Sequence, residues 1–282
     1  MTIKEAFNFT KQELIKAGVS NPAFDAIYIF EHVFSLSRTD ITIYGDKEVE
    51  SEKLSKLSEC IRRRKNNEPV QYIIGKWYFM GNEFKVSSGV LIPRDDTEVL
   101  VRACMELLDG KASPVIADLC SGSGIIAVIL KQHFADATVY AVEKSDIAYS
   151  FLCENAKHNN TEIKTLHADL YDCVDTFEDN SLDLLVSNPP YIISDEISSL
   201  QKEVQFEPKL ALDGGEDGYS FYRGIIEHYP KKLKKGGIIA FEIGEGQFEY
   251  IKKLLENASF TDVRGYLDLG NTVRAVIAIY NP

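Results

Sequence analysis

Val115-Ile116-Ala117-Asp118-Leu119-Cys120-Ser121-Gly122-Ser123-Gly124-Ile125-Ile126-Ala127-Val128-Ile129-Leu130 reads as a short apolar strand, a turn of small residues and the start of a helix. Short continuous apolar runs are the pattern of buried parallel strands. Gly122 and Gly124 lack a Cβ, so the backbone can turn sharply there and approach a ligand closely. Similar apolar segments follow downstream: Thr138-Val139-Tyr140-Ala141-Val142, Lys164-Thr165-Leu166-His167-Ala168 and Leu182-Asp183-Leu184-Leu185-Val186-Ser187. Helical patterns cover 98–108 and 151–159. From Pro93 onward, strands alternating with helices predict an α/β fold built on a doubly wound, mostly parallel sheet.

In open sheets of this kind, ligands bind beyond the carboxyl ends of the strands. Three successive strand patterns there finish in a carboxylate, Asp118, Glu143 and Asp169. Glu143 follows the glycines at close to the roughly 20 residues at which an acid meets ribose hydroxyls in dinucleotide folds. Ala127 stands where a third glycine would complete G-x-G-x-x-G, and no basic residue sits in the turn to offset a pyrophosphate. An acidic rim suits a cationic ligand bearing a ribose. S-adenosylmethionine fits that description, and NAD is the alternative. The fourth strand pattern runs into Asn188-Pro189-Pro190-Tyr191. Each proline lacks an N–H and fixes φ, and the residue before a proline is pushed toward extended geometry. The Asn188 side-chain oxygen and the Pro189 carbonyl are then free to accept both hydrogens of a planar –NH2 group, with Tyr191 flanking it. On its own, such a tetrapeptide is more often a proline-rich turn ending a strand.

With these segments in hand, the chain resembles the protein-glutamine methyltransferases that modify peptide chain release factors. Gln71-Tyr72-Ile73-Ile74-Gly75 is similar to the segment that ends that family's N-terminal domain. Val90-Leu91-Ile92-Pro93-Arg94-Asp95-Asp96-Thr97-Glu98 resembles its I-P-R-P-D/E-T-E stretch, with Asp95 in place of proline. Residues 118–124 resemble D-L-G-T-G-S-G, with Cys120 and Ser121 in place of Gly and Thr, and 188–191 is the family's N-P-P-Y. Glu207-Pro208-Lys209-Leu210-Ala211-Leu212-Asp213-Gly214-Gly215-Glu216-Asp217-Gly218 is similar to its E-P-x-x-A-L-x-G-G-x-D-G loop.

The resemblance implies methyl transfer from S-adenosylmethionine to the glutamine amide nitrogen in the Gly-Gly-Gln motif of release factors. A glutamine methyltransferase acting on a ribosomal protein is the near alternative. A DNA adenine methyltransferase, which must flip its base, is the more distant one. On this reading Asn188, Pro189, Pro190 and Tyr191 are catalytic. Asp118, Cys120, Ser121, Gly122, Gly124, Glu143, Asp169, Leu170 and Asn188 bind the cofactor, Glu143 at the ribose and Asp169 at the adenine amine. Asp118 either touches the cofactor or braces the turn, and Arg94 either orders the covering loop or pairs with nearby acids. No histidine or lysine sits in the motif as a base, so little dependence of rate on a single ionisation near neutrality is expected.

The whole chain agrees. Its 282 residues carry a net charge of −12, which argues against stable binding of nucleic acid, because phosphate contacts need clustered Lys and Arg. Five scattered cysteines show no C-x-x-C pair, five dispersed histidines suggest no metal site, and no long apolar span or signal peptide is visible. A cytoplasmic monomer, away from membranes, is the expectation. Residues 1–74 read as a small all-α domain that recognises the substrate, 75–92 as a β-hairpin linker and 93–282 as the methyltransferase domain. Asn21-Pro22 reads as a helix start, and Phe24, Ile27, Tyr28, Phe30 and Phe34 as its core face. Ser51 is expected to cap a later helix that ends in the basic run Arg62-Arg63-Arg64-Lys65. The hairpin is expected to turn at Gly81-Asn82. Two closing strands joined by Asp268-Leu269-Gly270-Asn271 resemble the antiparallel hairpin that ends the Rossmann-like S-adenosylmethionine-dependent methyltransferase sheet.

Overall fold

Thr2 opens the first helix with a reciprocal cap. Its hydroxyl accepts the Glu5 N–H, and the Glu5 carboxylate accepts the Thr2 N–H. The computed structural model describes residues 1–282 and divides into two units. The helical unit comprises residues 1–76 and 201–206, and the sheet unit residues 77–200 and 207–282. No helix is long and apolar enough to cross a membrane.

The helical unit holds α1 (Ile3–Lys16), α2 (Pro22–Phe34), α3 (Arg38–Ile43), α4 (Ser51–Lys65) and α5 (Val70–Ile74). Pro22 is the first residue of α2, as expected, but the buried face lies one step round from the predicted one. Ala26, Ile29, Phe30, Val33 and Phe34 are buried, whereas Phe24 is 47% exposed. The i, i+3, i+4 spacing of Ala26, Ile29, Phe30 and Val33 makes the continuous stripe, and Phe24 falls off it. The N-cap of α4 is Glu50, with Ser51 the first helical residue.

The basic run forms the last turn of α4, and each of its members has a partner. Arg62 pairs with Glu59, Arg63 with Glu68 and Lys65 with Glu13. Arg64 is buried, with Nε 2.5 Å from Asp25 and its outer nitrogen 2.8 Å from Glu203. Burial raises the Asp25 carboxyl against the pull of Arg64, so this carboxylate depends on its cation.

Strands β1 (Lys76–Phe79) and β2 (Asn82–Lys85) pair as a hairpin that, from Trp77 on, belongs to the sheet unit. The turn residues with positive φ are Met80 and Gly81, one position earlier than predicted. Both central residues of a tight hairpin turn need positive φ, and Asn82 is already in the strand. Asn155 pins the hairpin to the sheet unit, accepting the Lys85 N–H at 2.7 Å and donating to the carbonyls of Lys85 and Ser123.

Next come α6 (Thr97–Leu108), β3 (Val115–Leu119), α7 (Ile125–His133), β4 (Thr138–Glu143), α8 (Asp146–His158), β5 (Lys164–His167) and β6 (Leu182–Ser187). The chain closes with α9 (Ser220–His228), β7 (Leu233–Glu242), α10 (Phe248–Asn257), β8 (Phe260–Leu267) and β9 (Val273–Tyr280). Helix α8 starts five residues before the predicted 151, because the Ser145 hydroxyl caps it through the Ala148 N–H.

The seven-stranded sheet has the order β5-β4-β3-β6-β7-β9-β8, parallel except at β9, which runs against β7 and β8. It is the expected doubly wound sheet with a reversed terminal hairpin. The chain winds outward from β3 to β5 and then returns to β6 on the other side of β3. That reversal opens a crevice at the carboxyl ends of β3 and β6. Side chains alternate between two cores. Ile116, Leu184, Val186, Ile238 and Ala240 face α6, α7 and α8, while Ala117, Leu119, Leu185, Ile239 and Phe241 face α9 and α10.

Replacing Arg64 with alanine would leave a buried carboxylate unpaired, a loss of about 3–5 kcal/mol. Urea unfolding of Arg64→Ala at neutral pH should show that loss in the helical unit. The loss should shrink in acid, where Asp25 carries a proton.

Candidate active site

The crevice contains a cavity of about 220 Å³. Cys120 and Gly122 from the loop after β3 line it, with Glu143 at the end of β4, Asp169 and Leu170 after β5, and Asn188 and Pro190 after β6. Residues widely spaced in the chain meet there because four parallel strands end side by side. Apolar walls come from Val142, Leu170, Pro190 and Phe221, giving surfaces against which a flat ring can lie. Ser121 lines a smaller adjoining recess with Arg94 and Thr97, and Asn188 borders both spaces.

Each acid of the expected rim has a different setting. Glu143 accepts the Gly122 N–H at 2.8 Å on one oxygen and the Ser145 N–H at 2.7 Å on the other. It thereby holds the glycine turn in place, and each oxygen retains a lone pair. Burial raises its carboxyl, against those backbone donors. Asp169 is part-buried, which alone would raise it. Lys144 at 2.8 Å and the Tyr171 N–H at 3.0 Å outweigh burial and hold it below its ordinary value.

Asp118 lies apart from the cavity. It alternates with Ala117 and Leu119 on β3 and so points to the face covered by α6 and α7, where it is fully buried. Neither of its oxygens has a hydrogen-bond partner. Burial pushes it up to about 8, against weak opposition from the nearby Ser121 hydroxyl and Ala127 N–H. The backbone bonds proposed for Asp118 are made by Glu143.

Gly122 takes φ +55 and has open space where a Cβ would point, so it leaves room at the cavity wall. Gly124 starts α7 away from the cavity, where a Cβ would collide with Leu152.

Pro189 is buried and Tyr191 half-buried, and neither side chain is part of the cavity lining. Burial, helped by Glu242, pushes the Tyr191 phenol up to about 12, so it stays protonated. The chain after the corner is stitched to residues 207–218: Ile192 N–H to Leu212 O, Gly214 N–H to Ile192 O and Ser194 N–H to Gly215 O. A Cβ on Gly214 would lie 2.7 Å from the Tyr191 Cα, which explains glycine there. Arg94 pairs with buried Glu207, whose other oxygen accepts the Ile92 N–H at 3.0 Å. Of the two expectations for Arg94, the ion pair is the one present, and it joins the 90–98 and 207–218 segments.

Three residues near the corner had no role in the sequence reading. Gln247 donates to the Tyr191 carbonyl at 3.2 Å and accepts the Gly244 N–H. Thr97 is wholly buried and donates to Glu242 at 2.6 Å. Glu242 is 2% exposed, and burial pushes it up to about 7 against the Thr97 hydroxyl. A carboxylate inside the apolar run Ile238-Ile239-Ala240-Phe241-Glu242-Ile243 was the available signal.

A carboxyl whose folded value exceeds its unfolded one contributes stability in acid, and that contribution is lost as pH rises through the folded value. For Asp118 the window runs from 3.8 to about 8. Urea titrations across it should show wild-type stability falling more steeply with pH than that of Asp118→Asn. Equal slopes would mean that the carboxyl is ionised in the fold.

Comparison with known proteins agrees with this architecture. Residues 5–75 match the PrmC N-terminal domain family and residues 94–205 the methyltransferase small domain family. The release factor glutamine methyltransferase of Fusobacterium nucleatum subsp. nucleatum is 36% identical over 97% of this chain and 78% of its own length. The protein of that name from Clostridium botulinum is 38% identical over 94% of each chain. The crystal structure of a methyltransferase from Pyrococcus furiosus has the same fold, with a TM-score of 0.53, 14% identity, and coverage of 83% of this chain and all of that one. Identity at this level along nearly the full length, with both domain types in order, makes this chain a member of the release factor glutamine methyltransferase family.

Proposed function

We propose that the chain transfers a methyl group from S-adenosylmethionine to the side-chain amide nitrogen of the glutamine in the Gly-Gly-Gln motif of peptide chain release factors. The observation that carries this reading is that Asn188 borders the same cavity as Glu143 and Asp169. An acceptor corner and a chamber suited to a cationic ribose ligand are therefore one space. The residues fit such a cofactor. Glu143 has lone pairs for ribose hydroxyls, Asp169 has an oxygen for an adenine amine, and Val142, Leu170 and Phe221 offer faces for the ring. The 120–122 turn, free of cations, suits the methionine end. When bound, S-adenosylmethionine supplies an electrophilic methyl group on a positively charged sulfur.

The chain's own contribution is to hold the substrate nitrogen. A carboxamide nitrogen is a weak nucleophile because its lone pair is delocalised into the carbonyl. Accepting one N–H at Asn188 Oδ1 and the other at the Pro189 carbonyl favours a pyramidal nitrogen with its lone pair exposed. Positioning of this kind lowers barriers by up to about 7–11 kcal/mol in favourable systems.

The helical unit is assigned the choice of partner. Residues 201–206, which immediately precede Glu207 in the chain, also belong to the helical unit. Removal of residues 1–74 should abolish methylation of the intact factor while cofactor affinity, measured by calorimetry on the shortened chain, survives. Full activity of the shortened chain would refute the assignment.

Incubation with labelled cofactor and purified release factors, ribosomal proteins and DNA in parallel tests the substrate. The expected outcome is label on the release-factor glutamine. Label on a ribosomal protein or on adenine would replace this reading. Asn188→Ala should lower turnover about 100-fold, with a much smaller change in cofactor affinity.

A further inference from the structure

Ser187 pairs with Phe241 across the parallel β6–β7 ladder. Asn188 and Glu242 each follow one of these residues, so they stand level at the strand ends on the same side of the sheet. That side carries α6, and Thr97, its first residue, lies between them. Thr97 Oγ1 donates to Glu242 Oε2 at 2.6 Å, and Asn188 Nδ2 donates to Thr97 Oγ1 at 3.4 Å.

The polarity of this chain of bonds has one consequence for Asn188. An ionised carboxylate only accepts, and a threonine hydroxyl has a single hydrogen. With that hydrogen given to Glu242, the Thr97 oxygen can only accept, so the amide group facing it must be NH2. The Asn188 Oδ1 is then the atom left for the cavity. If Glu242 carried a proton, the Thr97 hydrogen could turn to Asn188. The amide would gain by reversing, presenting two donors to a substrate group that is itself a donor.

We infer that Thr97 and Glu242 are positioning residues that fix the amide of Asn188 with its oxygen toward the substrate. The inference rests on the role proposed above for Asn188 and adds the residues that make that role possible. Among neighbouring groups, Asp96 raises the Glu242 carboxyl, while Arg274 and Arg94 lower it. The phenols of Tyr191 and Tyr222, both raised by burial and by Glu242, remain neutral. Burial dominates and brings Glu242 to about 7. The relay therefore loses its polarity as pH falls through neutrality, and a pH dependence near 7 replaces the flat profile expected from the motif alone.

Wild type, Thr97→Val, Thr97→Ser and Glu242→Gln, each checked for folding by circular dichroism, separate the possibilities. Thr97→Val should lower kcat about 10- to 100-fold, leave the cofactor Kd unchanged and abolish the rise of kcat with pH through neutrality. Glu242→Gln, whose amide oxygen still accepts the Thr97 hydrogen but does not titrate, should lose the pH limb alone. Thr97→Ser, which keeps the hydroxyl, should retain both the rate and the pH limb. In cofactor-free protein labelled at asparagine with ¹⁵N, the Asn188 side-chain amide resonances should move as pH passes through about 7 in wild type and stay fixed in Thr97→Val. Folded Thr97→Val with wild-type kcat overturns the inference, as does a Thr97→Ser variant as impaired as the valine one. If wild type fails to label the release-factor glutamine, the proposed function falls, while the amide resonances still report on the relay.

Discussion

The parallel register of β3, β6 and β7 is the constraint on which the site depends. Leu119, Ser187 and Phe241 form one row across the three strands. Of the residues that follow, Cys120 and Asn188 line the cavity, and Glu242 stands buried beside them, behind Thr97. A slip of one residue would exchange the two faces of a strand. It would bury Asn188 among α9 and α10 and send Phe241 into the space that Glu242 occupies. Burial of Leu184, Val186, Ile238 and Ala240 on one face, and of Leu185, Ile239 and Phe241 on the other, opposes that slip. The apolar cores thus hold the polar corner in place.

Around this frame four of the six buried acids stand in four different settings. Glu143 is held by backbone N–H groups, and Glu207 by Arg94. Glu242 has a threonine hydroxyl, and Asp118 has no partner. The environment decides the protonation state of each. Asp118, pushed to about 8, is mostly neutral at pH 7, while Glu242, near 7, is divided between its two forms. Only an ionised carboxylate commits the Thr97 hydrogen to one direction. The acid brought to about 7 is thus connected, through Thr97, to Asn188.

The loop of residues 207–218 is held by the same economy of contacts. Its glycine-rich end is bonded to the chain just past Tyr191, and its first residue is paired with Arg94. Two segments far apart in sequence are thereby attached to the corner on either side. A larger residue at Gly214 would force the backbone of Tyr191 away.

Much of this was legible in the chain itself. Apolar runs of strand length alternating with helical patterns specify a doubly wound sheet, because each strand must be buried on both faces. That the acid ending β4 and the amide after β6 meet at one cavity was readable from their positions at strand ends, since such positions converge in any sheet of this class. The hairpin turn, the buried stripe of α2 and the start of α8 were each misplaced by one or more residues. Those boundaries are settled by positive-φ tolerance, packing and a serine cap rather than by hydrophobic pattern. What the sequence could not supply was the direction of Asp118, the pairing of Arg94 with Glu207 and the contact of Thr97 with both Glu242 and Asn188. Each joins segments more than ninety residues apart or depends on which face a side chain takes. Strand register and helix packing set both, and those exist only once the sheet has assembled.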